Sequence, residues 1–264
     1  MSGDSQMLAA LAADGIAKQK LHVMMIVDTS RSMQGQRIDQ VNSAISDIHK
    51  YLIDLQGENS NVDFYVTIMT FANKAEFVPG YKAVNVNDMT PPKLKAIGYS
   101  NLHCAYEELA PLLHKESNGG MMPDFGGIAP IILLITDGHP TKSTEKQLSE
   151  LKKLPWFRAA LRYGIAIELN DLRTKKVLQD FTEDENCVIE CFDSNMLSRI
   201  IQVIVMTASK VKSQSSAVRA SKAVKQNAKK VAKATASPAP NQNAHLLVKQ
   251  QVKATLDEVE DWEW

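Results

Sequence analysis

Three oxygen-bearing side chains alternate along a short stretch near the start of the sequence. The run LHVMMIVDTSRS is hydrophobic at first and ends in Asp28, Ser30 and Ser32. Past the end of a strand, side chains at every second position can fold around one point. One carboxylate and two hydroxyls are hard oxygen donors, which suit a hard cation. The spacing therefore predicts a metal site, although a single triplet of this kind also fits a helix-capping turn.

A second hydrophobic segment ends in an acid in the same way. The run APIILLITDG places Asp137 directly after a buried-type strand, and Gly138 lets the backbone come close. In a doubly wound sheet, the strand ends at the topological switch point lie side by side. We therefore expect Asp28 and Asp137 to converge.

Three short motifs in this sequence occur together in one known family. DTSRS, then GYSNL before a helix, then TDG resemble the von Willebrand factor A domain and its metal-ion-dependent adhesion site, over roughly residues 21 to 208. The resemblance implies that Ser30 and Ser32 bind Mg²⁺ or Mn²⁺ directly, and that Asp28 and Asp137 act largely through bound waters. Ser100 takes the place of the family's usual threonine and keeps its hydroxyl. The predicted metal-binding residues are Asp28, Ser30, Ser32, Ser100 and Asp137.

The resemblance also implies a function in protein recognition. Where neutral hydroxyls dominate the first shell, Mg²⁺ keeps much of its positive charge and several waters, one of which an Asp or Glu of a partner can replace. Tyr99, where the family often has a second glycine, and His139, after TDG, are predicted partner contacts. An exposed loop histidine without a role is the alternative for His139.

One longer stretch suggests a narrower branch of the family. LITDGHPT is similar to the TerY-like branch, which is associated with tellurite-resistance gene clusters. That resemblance implies a partner of the Ser/Thr kinase or PP2C-type phosphatase class, in a stress-response or tellurite-resistance system of a bacterium.

An enzyme is the competing class of function. Haloacid-dehalogenase-like enzymes also present a strand-end aspartate as the nucleophile, but they resemble D-x-D, and Ser30 stands where the second acid belongs. G-x-S-x-G is absent from the sequence, and no G-x-G-x-x-G follows LHVMMIV. We predict a binding module that is not an enzyme, with metal-dependent phosphate transfer through Asp28 as the alternative.

The elements that must position these residues alternate between hydrophobic runs and helical periodicities. This pattern predicts an α/β fold, a doubly wound and mostly parallel Rossmann-like sheet with helices on both faces. Strands are expected at residues 21–28, 62–72, 129–138, 162–170 and 187–193, with a Pro-containing edge strand at 75–84. Helices are expected from Ile38 to near Gly57, after Ser100 and over 195–211.

The charge is distributed unevenly along the chain. From Lys210 onward there are ten Lys and Arg against five Asp and Glu, which leaves twenty against twenty-five before it. The predicted organisation is an N-terminal extension (1–20), the A domain (21–209), a basic Lys/Ala-rich linker (210–244) and an acidic, aromatic docking segment (245–264). Residues 210–264 are expected to form a flexible tail, in which Trp262 and Trp264 contact the partner. The linker has no interleaved aromatic residues, which argues against nucleic-acid binding.

Two features bear on location. The sequence has no run of about 18 apolar residues that would predict a membrane span. Asp4 lies where a secretion signal would carry basic residues. A cytoplasmic protein without membrane contact is therefore expected.

Overall fold

The computed structural model describes residues 18–58, 61–168 and 171–209, which form seven strands and six α-helices. The strands are β1 (Gln19–Asp28), β2 (Val62–Phe71), β3 (Ala75–Phe77), β4 (Val84–Asn85), β5 (Ile131–Thr136), β6 (Leu161–Ile167) and β7 (Val188–Cys191). The helices are α1 (Gln36–Glu58), α2 (Leu102–Leu112), α3 (Glu145–Lys153), α4 (Pro155–Ala159), α5 (Leu172–Thr182) and α6 (residues 194–209).

All seven strands belong to one sheet. The order is β3-β2-β1-β5-β6-β7, and β4 also pairs with β2. Strands β1, β2, β5, β6 and β7 are parallel, whereas β3 and β4 run antiparallel to β2. The strand order reverses between β1 and β5, so Asp28 and the end of β5 lie at the topological switch point. The predicted doubly wound, mostly parallel fold is confirmed.

The sheet is covered on both faces. Along β1 the side chains alternate, so that Val23 and Met25 lie in one hydrophobic cluster while Met24 and Ile26 lie in the other. Helices α1 and α6 contribute their buried residues to the first cluster. Helices α2, α3, α4 and α5 contribute to the second. Burial on both faces explains why β1 and β5 are hydrophobic at almost every position.

The prediction of a single edge strand over residues 75–84 is wrong. This segment is divided into β3 and β4, both antiparallel to β2. Between them Pro79 has no N–H to donate to a ladder, and Gly80 takes a positive φ of 79°. The Tyr81 N–H donates to the Val78 carbonyl over 2.9 Å, which closes a turn there.

Several predictions concern the ends of the chain. Residues 1–17 and 210–264 lie outside the described residues, and with them the segments predicted as a tail, a basic linker and a docking segment, including Trp262 and Trp264. Among the helices that the structure describes, none is long and apolar enough to cross a membrane.

Candidate metal centre

Asp28 is the last residue of β1, and its side chain is fully buried. Oδ1 accepts a hydrogen bond from the Ser30 N–H at 2.8 Å. Oδ2 accepts from Ser100 Oγ at 3.0 Å and from Thr136 Oγ1 at 2.7 Å. Burial raises the pKa of Asp28 above its usual value, and these hydrogen bonds act against that increase. Across the described ranges no Lys, Arg or His forms an ion pair with Asp28, so its charge is solvated only by neutral donors.

The two serines of DTSRS connect Asp28 to Asp137. Ser30 Oγ lies 3.0 Å from Ser32 Oγ, and Ser32 Oγ donates to Asp137 Oδ1 at 2.8 Å. Ser30 precedes a short 3₁₀ turn, yet its side chain makes no capping hydrogen bond to that turn. The capping alternative therefore does not describe Ser30. The structure brings together all five predicted metal-binding residues, namely Asp28, Ser30, Ser32, Ser100 and Asp137.

The loop that carries Ser100 is fastened to its neighbours by backbone hydrogen bonds. The Ile97 N–H donates to the Thr29 carbonyl at 2.7 Å, and the Gly98 carbonyl accepts from the Arg31 N–H at 3.0 Å. Gly98 has a φ of 97°, which favours glycine. A Cβ at Gly98 would also lie 2.8 Å from Asn73 Oδ1, the atom that accepts the Tyr99 N–H.

We expect Gly98→Ala to lower both stability and cation affinity. The positive φ alone costs a non-glycine residue about 1–2 kcal/mol. The added Cβ also displaces the Asn73 amide that accepts the Tyr99 N–H, so the loop that carries Ser100 loses one of its contacts. Gly80→Ala is the matched control, since Gly80 also has a positive φ (79°) but nothing within 4 Å of an added Cβ. Denaturant unfolding and calorimetric titration with Mn²⁺ measure the two effects. Equal Mn²⁺ affinity in both variants would contradict the role given to this loop.

Arg37 is a neighbour of this centre that sequence reasoning missed. Its Nη1 donates to Asp137 Oδ2 at 2.6 Å and to the Ser32 carbonyl at 3.1 Å. Its Nε donates to Glu168 Oε2 at 2.9 Å. Arg37 lies in the first turn of α1, where a charged residue on the polar face gives no distinctive pattern in the sequence.

The two predicted partner contacts lie in different surroundings. Tyr99 is 70% exposed in the loop beside Ser100. His139 Nδ1 lies 2.9 Å from Asp171 Oδ2, and Asp171 caps α5 by accepting the Arg173 N–H. That N–H, with the nearby charges of Arg173 and His139, holds the pKa of Asp171 below its usual value. The contact that the structure gives His139 is thus with the start of α5.

Comparison with known families settles which family this is. The profile of the von Willebrand factor type A domain matches residues 22–203, which is more than half of the chain. The chain belongs to the von Willebrand factor type A domain family. Human inter-alpha-trypsin inhibitor heavy chain H6 is 26% identical over 146 residues, which are 52% of this chain and 10% of that protein. The chain therefore spans about a tenth of the length of that relative.

Solved structures with the same fold are distant in sequence. Proximal thread matrix protein 1 from the mussel byssus matches with a TM-score of 0.52 at 15% identity, over 73% of this chain and 48% of that one. The pilus adhesin SpaC from Lactobacillus rhamnosus GG matches with a TM-score of 0.52 at 12% identity, over 69% of this chain and 30% of that one. At these identities the similarity shows the fold alone.

The donor atoms of this von Willebrand factor type A domain fit a hard divalent cation. Five side chains supply only carboxylate and hydroxyl oxygens, and one carboxylate is buried without a cationic partner. In the part of the chain that the structure describes, no three His, Cys, Asp or Glu side chains cluster as a metal-binding group. The centre therefore depends on serine hydroxyls, and Mg²⁺ and Mn²⁺ are the cations that such oxygen donors suit.

Proposed function

We propose that this von Willebrand factor type A domain is a protein-interaction module that binds Mg²⁺ or Mn²⁺ and recognises an acidic residue of a partner. Asp28, Ser30, Ser32, Ser100 and Asp137 would hold the cation. The observation that carries the proposal is the buried Asp28 carboxylate, which meets neutral donors only. A buried charge without a counter-charge is costly, and a cation relieves that cost.

The surroundings of the centre support a role in binding. Ser32 is exposed, so the centre reaches the protein surface. Ile97 and Tyr99 are 73% and 70% exposed in the loop that precedes Ser100. A bound cation supplies positive charge at this surface, and the two apolar side chains provide contacts beside it. The chemistry fits a partner that presents an Asp or Glu next to apolar residues.

The partner class rests on the sequence. LITDGHPT supports a TerY-like role with a Ser/Thr kinase or a PP2C-type phosphatase, in a cytoplasmic stress-response system. The acidic, aromatic segment 245–264 would add a second contact through Trp262 and Trp264. Binding is proposed in preference to phosphate transfer because Ser30 stands where D-x-D enzymes have their second acid.

Affinity capture tests this function. Immobilised full-length protein is incubated with extract of the source organism in Mg²⁺, in EDTA, and in EDTA followed by excess Mg²⁺. We expect one set of proteins to be lost in EDTA and regained with Mg²⁺. Ser30→Ala should lose the same set in Mg²⁺, because the hydroxyl is a cation ligand in the proposal.

The control for capture is Ser46→Ala. Ser46 lies in α1, and its hydroxyl donates to the Asn42 carbonyl of the same helix, away from the centre. This variant should retain the whole set. Equal retention of every captured protein by the EDTA-treated chain would overturn recognition through a cation.

A further inference from the structure

Arg37 connects three loops at the carboxyl edge of the sheet. Nη1 contacts Asp137 after β5 and the Ser32 carbonyl after β1, while Nε contacts Glu168 after β6. The Asp137 side chain is 1% exposed whereas Arg37 is partly exposed, so solvent screens this ion pair less than a pair of two surface residues. A guanidinium has several donors in a rigid fork, which allows one side chain to serve three acceptors.

Glu168 is held in an uncommon backbone conformation. Its φ is 51°, a left-handed value for a residue that is not glycine, and its N–H donates to the Cys191 carbonyl at 3.0 Å. Such a conformation is unfavourable for a residue with a Cβ and persists where the surrounding structure enforces it. Here it places the Glu168 carboxylate on Arg37.

The charges of the centre are therefore asymmetric. Asp137 has Arg37 as a counter-ion, whereas Asp28 has no ion-pair partner in the described ranges. Asp28, Asp137 and Glu168 carry three negative charges and Arg37 one positive charge. The four side chains together therefore carry two negative charges, which equal and oppose the charge of a divalent cation. This balance depends on both Arg37 and Glu168.

We propose that Arg37 is the resident counter-ion of this centre: held by Glu168, it keeps Asp137 in place without the divalent cation and limits how tightly that cation binds. The inference rests on the proposed function, because it assumes a cation at the five residues. Arg37 acts through Asp137 and is thus a positioning residue. By keeping Asp137 partly neutralised, it leaves more of the cation's charge for a carboxylate of the partner.

The test uses the full chain, with Mn²⁺ alone as the probe, in calorimetry and in thermal unfolding with EDTA. Arg37→Gln should raise Mn²⁺ affinity on the order of tenfold, because a positive charge close to the cation is removed. The same change should lower the melting temperature in EDTA, because Asp137 loses its partner. Glu168→Gln should lower Mn²⁺ affinity by about threefold, and Arg37→Lys should keep an affinity near that of the unaltered chain.

The matched control is Arg31→Gln. Arg31 lies in the 3₁₀ turn between β1 and α1, is exposed and makes no side-chain hydrogen bond among the described residues. Arg31→Gln should differ little from the unaltered chain in Mn²⁺ affinity and in melting temperature in EDTA. If Arg37→Gln lowers Mn²⁺ affinity or leaves it unchanged, the inference is overturned, since a merely structural role would lower both readouts together. If the unaltered chain binds no Mn²⁺ at all, the proposed function fails instead.

Discussion

Asp28→Asn is expected to weaken Mg²⁺ or Mn²⁺ binding by on the order of 100-fold or more. This is the upper end of the loss of metal affinity that follows when a residue supporting a metal site is replaced. Asparagine keeps the shape of the side chain and an oxygen that accepts the Ser30 N–H, but it removes the charge. Because that charge is buried and, among the described residues, meets only neutral donors, it is the feature that we expect to attract a cation to this centre. Calorimetric titration of the purified chain measures the loss.

The same substitution is expected to stabilise the protein in EDTA. Burial raises the pKa of Asp28, which means that ionising this carboxyl is less favourable in the folded chain than in the unfolded chain. Asparagine is neutral at every pH, so we expect the melting temperature in EDTA to rise by about 3 °C. Asp47→Asn is the control, because Asp47 is partly exposed on α1 and pairs with Lys50. If Asp28→Asn binds Mn²⁺ as tightly as the unaltered chain, Asp28 is not part of the metal centre.

His22→Leu is expected to remove a large part of the acid sensitivity of the fold. His22 is 4% exposed on β1, and neither ring nitrogen has a hydrogen-bond partner among the described residues. Burial, helped by Lys20 and opposed by Glu116, lowers its pKa from 6.5 to about 4. The unfolded chain therefore takes up this proton at a higher pH than the folded chain does.

The sign of the effect follows from proton linkage. Between pH 6.5 and about 4 the unfolded state binds the His22 proton and the folded state does not, so stability falls as the pH falls through this window. The full loss is about 3 kcal/mol, from 1.36 kcal/mol per unit of pKa. Urea unfolding in EDTA at pH 7.5 and at pH 4 measures how much the free energy of unfolding falls between the two pH values. This fall should be about 3 kcal/mol smaller for His22→Leu than for the unaltered chain. His114→Leu, an exposed histidine, is the control and should lose as much as the unaltered chain.

The long strands and helices were predictable because burial leaves a continuous pattern. The strand predicted over residues 21–28 begins two residues earlier in the structure and ends at Asp28 as expected. The helix predicted from Ile38 to near Gly57 begins two residues earlier and ends at Glu58. Helices α3 and α5 were not predicted. Each buries only two hydrophobic side chains, Leu148 with Leu151 and Leu178 with Phe181, which is too few to establish a period of 3.6.

The five side chains of the centre were predictable for another reason. Asp28 and Asp137 follow hydrophobic strands whose ends are visible in the sequence, and Ser30 and Ser32 follow Asp28 at alternate positions. Ser100 precedes a helix and was identified only by the resemblance of GYSNL to the family's motif. Arg37 and Glu168 were not predictable, because their contact joins residues 131 positions apart and depends on the order of strands in the sheet. It also depends on the left-handed backbone of Glu168, which nothing in the type of that residue indicates.

The division of the edge strand into β3 and β4 bears on aggregation. On the outer edge of β2, β3 pairs with residues 69–71 and β4 pairs with Tyr65 and Val66. Between them, the Ile68 N–H donates to the Tyr81 carbonyl and the Ile68 carbonyl accepts from the Val78 N–H. The chain's own backbone thus covers this edge, so the strand of another molecule finds few open hydrogen-bonding groups there. The open edges of the sheet are therefore those of β3, β4 and β7, whose three, two and four residues give much shorter templates than the ten residues of β2.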